Sequence, residues 1–271
     1  MNRISPGALL NSLWTNRGIV WLLGKRDVQS KYKGSFAGLL WAFINPLLML
    51  LIYTFVFAVI FKARWHGQVG DSRAQFALVM FVGVIIHGLF AEVINRAPGI
   101  IFENTNYVTK VVFPLEMLPV ISLGSALFHC LASVCVLLAG LVLCNGGLHW
   151  QAVFFPVVVT PLLVIAVGIA WILAALGVFI RDLKQTTTFI TTAMLFLSPV
   201  FYPQSAWPEK YQKLFMLNPL TFIMEQSRQV LIWGKLPDFK GLIVYLMIAS
   251  AFAFIGFAVF QKMRKGFADV L

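Results

Sequence analysis

The residues best able to do chemistry in this sequence are few and scattered. Its four histidines are His66, His87, His129 and His149, and none has a carboxylate or cysteine at metal-ligand spacing. No metal site and no catalytic centre are expected from them. The glycine-rich phosphate loop of the G-x-x-x-x-G-K type is absent, so the chain is expected to bind no ATP or other cofactor itself. Cys130, Cys135 and Cys144 lie in or at the end of one apolar run and read as packing residues, not as a disulfide. Glu92 is the one clear acid within an apolar run, near its end. An ionisable residue in such a place is a functional candidate by default.

One connecting stretch carries more character, "ENTNYVTKVVFPLEMLP", residues 103–119. A turn between two apolar runs needs only a few polar residues. This one is longer and amphipathic, and Pro98 and Pro119 bracket it. Pro114 has no N–H to donate and biases Phe113 away from the helical region, which predicts a fixed bend. Phe113 and Leu115 would form an apolar plug, and Asn104, Tyr107 and Lys110 its polar rim. That is the anatomy of a contact surface.

The elements that must position these residues follow from composition. The apolar fraction is 60% and the charged fraction 11%, far from the roughly 45–50% and about 25% of soluble domains. A polytopic membrane protein is predicted, all-helical, with six spans at about 38–61, 76–95, 119–144, 152–180, 186–203 and 241–260. The fifth is short, rich in threonine and broken by Pro199 and Pro203, which fits a re-entrant or broken helix packed in protein. The net charge of +11 points first to membrane orientation and anionic lipid. No nucleic-acid recognition motif accompanies it. Lys and Arg concentrate on the side of the termini, which predicts both termini in the cytoplasm and residues 96–118 with them.

Residues 1–37 are too polar to span. "RGIVWLLGKRDVQSKYKGS" suits a helix lying in the cytoplasmic interface. Residues 204–240 read as two short outer helices divided at Asn218-Pro219, with Phe222, Glu225, Gln229 and Ile232 on one face of the second.

Several segments share one family's pattern. Arg26-Asp27, then Tyr32, Ala37-Gly38, Trp41 and Pro46 form one ordered set. "TKVVFPLEMLP", "VFIRDLKQ", "LSPVFYP" and "LNPLTFIMEQSRQVLIWG" follow in order. Together they resemble the permease subunits of bacterial ABC-2 type exporters of O-antigen, capsular polysaccharide and teichoic acid. The family's Leu-Gly is Ala-Gly here. The resemblance extends along nearly the whole chain and carries several implications. The chain would work as a homodimer in the bacterial inner membrane, over two copies of a separate ATPase that holds ATP and Mg. The cargo would be a polyprenol-diphosphate-linked polysaccharide. The ATPases would grip the N-terminal helix, with Arg26, Asp27 and Tyr32, and the loop after span two, with Asn104, Tyr107, Lys110, Phe113 and Leu115. A drug or lipid exporter is the alternative within the superfamily. A membrane-embedded envelope transferase is the competing class, and it would need acids or histidines facing a cavity.

Tyr53, Phe57 and Phe61 recur at i, i+4 and i+8 and so share one helix face. Packing explains them. So does a track of rings on which the apolar faces of sugars slide, continued by Phe196, Phe201, Tyr202 and Trp207. Lys31, Lys33 and Arg181 have two readings also: positive-inside flanks of spans, or contacts to a lipid-linked diphosphate.

Overall fold

The computed structural model describes residues 14–60, 73–109, 113–203 and 218–270, with Gly7, Trp207 and Lys210. Phe61 and Lys110 lie outside the described residues. Everything regular among them is helical: α1 (Arg17–Tyr32), α2 (Trp41–Tyr53), α3 (Arg73–Arg96), α4 (Thr105–Thr109), α5 (Met117–Asn145), α6 (Phe155–Phe179), α7 (Leu183–Leu197), α8 (Pro219–Leu231), α9 (Phe239–Met263) and α10 (Phe267–Val270). In hydrocarbon each backbone group must be satisfied within its own segment, and a helix does this. Among the described residues five segments are long and apolar enough to cross a membrane: Gly38–Phe57, Gln75–Gly99, Met117–Cys144, Trp150–Phe179 and Phe239–Gly266.

The expected fifth span differs. α7 has 15 residues, about 22 Å at 1.5 Å per residue, short of a hydrocarbon layer of about 30 Å. Ser198 leaves the helical region with ψ 155° and ends it, and Pro199 follows.

α3 is the central helix. Leu78, Phe81, Ile85, Ile86, Leu89, Phe90 and Val93 along it are buried in one apolar core shared with α5, α6 and α8. α2 is peripheral and buries only Ala42. It passes after Tyr53 into a π-helical stretch, Thr54–Ile60. Such stretches are rare and gather at functional sites. The rings of Tyr53 and Phe57 still meet there, with centroids 6.4 Å apart.

α8 packs into the bundle. The Asn218 side chain accepts from Leu220 N and caps it. Leu220, Ile223, Met224, Ser227, Arg228 and Leu231 are buried against α3 and α6.

α6 and α9 make the closest helix pair. A methyl on Gly256 would meet Gly168 O at 2.3 Å, and one on Gly168 would meet Ala253 Cα at 2.7 Å. In a membrane, small residues let backbones approach, and dispersion then holds the helices. Gly256→Val is expected to separate this pair. Over-packing of this kind costs about 1–3 kcal/mol or more. The melting temperature of the detergent-solubilised chain should fall clearly, whereas Gly124→Ala, where no atom lies within 4 Å, should leave it unchanged.

Candidate functional site

Two arrangements stand out, near opposite ends of α2. The first is charged. Asp27 of α1 accepts two hydrogen bonds from Arg96 of α3 and one from Ser125 of α5. One helical turn away, Lys31 donates to Glu92 at 2.7 Å, and His129 Nδ1 lies 2.9 and 3.0 Å from the two Glu92 oxygens. Asp27 and Lys31 are four apart on α1, Glu92 and Arg96 four apart on α3, and Ser125 and His129 four apart on α5. Residues at that spacing share a face. Three helices therefore meet in two stacked junctions; α1 and α3 each carry acid then base and meet antiparallel, so each acid faces a base. Tyr32 closes the upper junction with its ring edge-on to His129 at 5.9 Å.

Burial opposes ionisation of Asp27. The hydrogen bonds from Arg96 and Ser125, with the charges of Arg96 and Lys31, outweigh it and hold the carboxyl below its ordinary 3.8.

A cavity of about 510 Å³ opens beside the upper junction; its lining mixes Lys31, Tyr32, Asn45, Glu92, His129 and Ser133 with apolar residues such as Trp41 and Phe81. A smaller one of about 140 Å³ lies beside the lower junction, where Arg26, Asn104 and Tyr107 meet the buried Ser122.

The second arrangement is aromatic. Phe57 stacks on Phe201 at 5.2 Å and 15°, Tyr53 meets Phe201 at 6.2 Å, and Phe196 meets it at 5.9 Å. The Tyr202 hydroxyl donates to the Phe196 carbonyl, and Tyr202 faces the Trp207 ring at 5.8 Å. Rings from α2 and from the turn after α7 thus form one patch.

That turn is held from inside. Arg228 is fully buried. It donates to the carbonyls of Pro199 (2.6 Å), Val200 (3.2 Å) and Val79 (3.2 Å), with Glu225 at 3.8 Å. A methyl on Gly83 would lie 3.0 Å from that guanidinium and 3.0 Å from Val200 Cα. Glycine at 83 thus admits the close approach.

The expected plug of the loop after span two is packed inside the chain. Phe113 is 7% and Leu115 4% exposed, in a core with Trp171, Phe257, Phe260 and Phe267. They were expected as anchors against a partner ATPase, whereas here they pack against α6, α9 and α10 of the same chain. Tyr107 stacks on Phe113 at 4.7 Å. Glu116 pairs with Arg264 at 2.8 Å, which also donates to Phe113 O, and Trp171 Nε1 donates to Glu116 O. Sequence reasoning missed Glu116, Trp171 and Arg264, since they meet only through the fold. Asn104 is half-buried and donates to Ile100 O.

Asp27 and Tyr32 likewise turn inward, while Arg26 stays exposed. Of the three basic residues expected at a diphosphate, only Lys31 lines the large cavity. Lys33 is exposed, and Arg181 lies over the Phe102 ring at 6.0 Å. Among the described residues no group of three or more His, Cys, Asp or Glu could hold a metal.

Truncating Asp27 would leave Arg96 half-buried without its carboxylate. Breaking such a pair costs up to about 3–5 kcal/mol, whereas replacing both partners by apolar residues is often neutral. Asp27→Ala should therefore lower the melting temperature sharply, and Asp27→Leu with Arg96→Met should recover most of the loss. Because the folded carboxyl titrates below its ordinary value, this contribution is complete at neutral pH. It is lost as pH falls through that lowered value.

Comparison with known proteins agrees with this architecture. The family model for the ABC-2 type transporter matches residues 19–232. The chain is 28% identical over 263 residues, 96% of its length and 98% of the relative's, to the O-antigen export system permease protein RfbA of Myxococcus xanthus. It is 24% identical over 252 residues, 92% of its length and 93% of the relative's, to the protein of that name from Klebsiella pneumoniae. To the polysialic acid transport protein KpsM of Escherichia coli it is 25% identical over 247 residues, 89% of its length and 91% of the relative's. The family match runs from α1 through the end of α8 and covers both site arrangements, and the chain belongs to the ABC-2 type transporter family.

Proposed function

We propose that this chain is the membrane-spanning permease subunit of an ATP-driven exporter that moves a lipid-linked polysaccharide, of O-antigen or capsule type, out across the bacterial inner membrane. The observation that carries this is the end-to-end likeness to permeases of O-antigen and polysialic acid systems. ATP hydrolysis belongs to a separate partner, two copies of which sit beneath two copies of this chain.

Both termini are cytoplasmic. α7 with the turn after it, backed by α8, counts as a sixth, broken pass, and the excess of Lys and Arg near the termini supports this orientation. α1 lies in the cytoplasmic interface, where Trp21 and Leu22 are exposed toward lipid. ATPase contact falls to the outer side of α1, with Arg26, and to the turn carrying Asn104 and Tyr107. Phe113 and Leu115 hold that turn in place from behind. Asp27 and Tyr32 do the same for α1.

The exposed apolar side of α2, including Leu47, Leu51 and Phe55, faces a second copy or lipid. The patch of Tyr53, Phe57, Phe196 and Phe201 offers ring faces to the apolar C–H faces of sugars. Such contacts are adaptable and let a polymer slide.

Deleting the gene should strip the surface of one polysaccharide and leave its lipid-linked form inside the inner membrane. Unchanged surface glycan, with no intracellular accumulation, would contradict the proposal. In the complemented strain, Tyr53→Ala with Phe57→Ala should reduce surface glycan several-fold while membrane insertion stays normal. Normal export by that variant would make those rings packing only.

A further inference from the structure

The aromatic patch has one fixed side and one loosely held side. Phe201 sits on the turn that Arg228 ties to α3 through the carbonyls of Pro199, Val200 and Val79. Phe57 sits on the π-helical stretch Thr54–Ile60, at the end of a helix that buries only Ala42. Leu51, Ile52 and Phe55 around it are more than half exposed. This segment can therefore turn about its own axis with few core contacts to break.

Phe57 stacks on Phe201 at 5.2 Å and 15°, and Tyr53 meets the same ring at 6.2 Å. A stacked pair hides one face of each ring. Phe57 and Phe201 present those faces to another molecule only after they part.

The backbone supplies a way to part them. A π-helix closes its turns with i→i+5 bonds and fits more residues into each turn than the 3.6 of an α-helix. It is the rarer form and needs support from its surroundings. Two contacts give that support here. One is the stacked ring, since offset rings attract. The other lies at the first residue of the stretch, where Thr54 Oγ1 donates to Leu50 O at 2.6 Å. A hydroxyl on the i−4 carbonyl weakens and bends the α-helical ladder at that point. When the stretch rewinds as α-helix, fewer residues fill the same arc. The position facing Phe201 then passes from Phe57 to the preceding Val56.

We infer that Thr54–Ile60 is a two-state register switch that opens and closes the aromatic patch. The π form seats Phe57 on Phe201 and closes it. The α form withdraws Phe57, brings the smaller Val56 toward its place and uncovers a face of Phe201. Thr54 is a positioning residue that biases the stretch to the π form. The inference rests on the polysaccharide-export reading only for what the opened face receives, a sugar ring.

The test is fluorine NMR on the full chain in nanodiscs, with 4-fluorophenylalanine in place of Phe57. Phe201→Leu supplies the reference shift of the unstacked ring, which should differ clearly from that of the unaltered chain. Thr54→Val removes the hydroxyl and keeps the branched shape. It should move most of the signal from the stacked shift to the reference shift. A second probe, in place of the exposed Ile60 at the end of the stretch, should move in the same variant, because rewinding turns the whole stretch. No movement at either position, or no difference between the unaltered chain and Phe201→Leu, would overturn the inference. Movement at only one of the two positions would overturn it also, as a ring flip or a frayed end on a fixed helix. Surface glycan is measured in parallel in cells carrying the wild-type chain. No export there defeats the polysaccharide reading itself. Normal export, with any of the adverse NMR results, defeats only the switch.

Discussion

The rest of the structure depends on the register between α1, α3 and α5. α1 buries no residue fully, and only Val20 and Leu23 pack, partly buried, against the apolar core, so apolar packing alone fixes its register weakly. It is held by Asp27 and Lys31, which meet Arg96 and Glu92 in reversed order on α3, with Ser125 and His129 completing each junction from α5. The reversal supplies specificity. Sliding α1 by one turn would set Lys31 against Arg96 or Asp27 against Glu92, and like charges at contact distance repel. Buried ion pairs add little net stability over apolar packing, but fixing register is a role they can serve.

That register places everything else. It sets Lys31, Glu92 and His129 at the large cavity, and it keeps Arg26 outward while Asp27 faces in. The turn from Ala97 to Asn104 follows directly from α3, and α6 presses against it so closely that a methyl on Gly177 would meet Pro98 O at 2.1 Å. The segment that returns to α5 is then clamped by Glu116, Arg264 and Trp171. At the other end of α3, Arg228 ties the same helix to the turn carrying Phe201. One helix therefore connects the charged junctions to the aromatic patch.

Much of the fold could be read from sequence. Long apolar runs at 76–95, 119–144, 152–180 and 241–260 became helices within a few residues of their expected bounds, because burial in lipid demands both the length and the composition. The 186–203 run, read as short and broken at Pro199, forms a helix that ends at the extended Ser198, just before that proline and short of spanning length. The aromatic patch was legible as residue types, but Phe57 and Phe201 are far apart in sequence and only the turn held by Arg228 joins them. Phe113 and Leu115 show the limit of an apolar motif: it states that burial occurs and not against what. The stacked junctions had a signal that went unread. Asp27-x-x-x-Lys31 and Glu92-x-x-x-Arg96 are i, i+4 pairs in the same acid-then-base order, which two antiparallel facing helices turn into complementary contacts. His129 was set aside for lacking a carboxylate nearby in sequence, and its carboxylate comes from α3.

The most direct measurement is hydrogen exchange across residues 17–32 of the chain in nanodiscs. Asp27→Lys with Lys31→Asp alone sets like charges at both junctions. Adding Glu92→Arg and Arg96→Glu restores opposite charges in the inverted order. The account predicts that α1 exchanges much faster in the first variant and returns toward the wild-type rate in the fourfold variant. Equal exchange in all three would show that α1 is held by something other than these charges and would contradict the account.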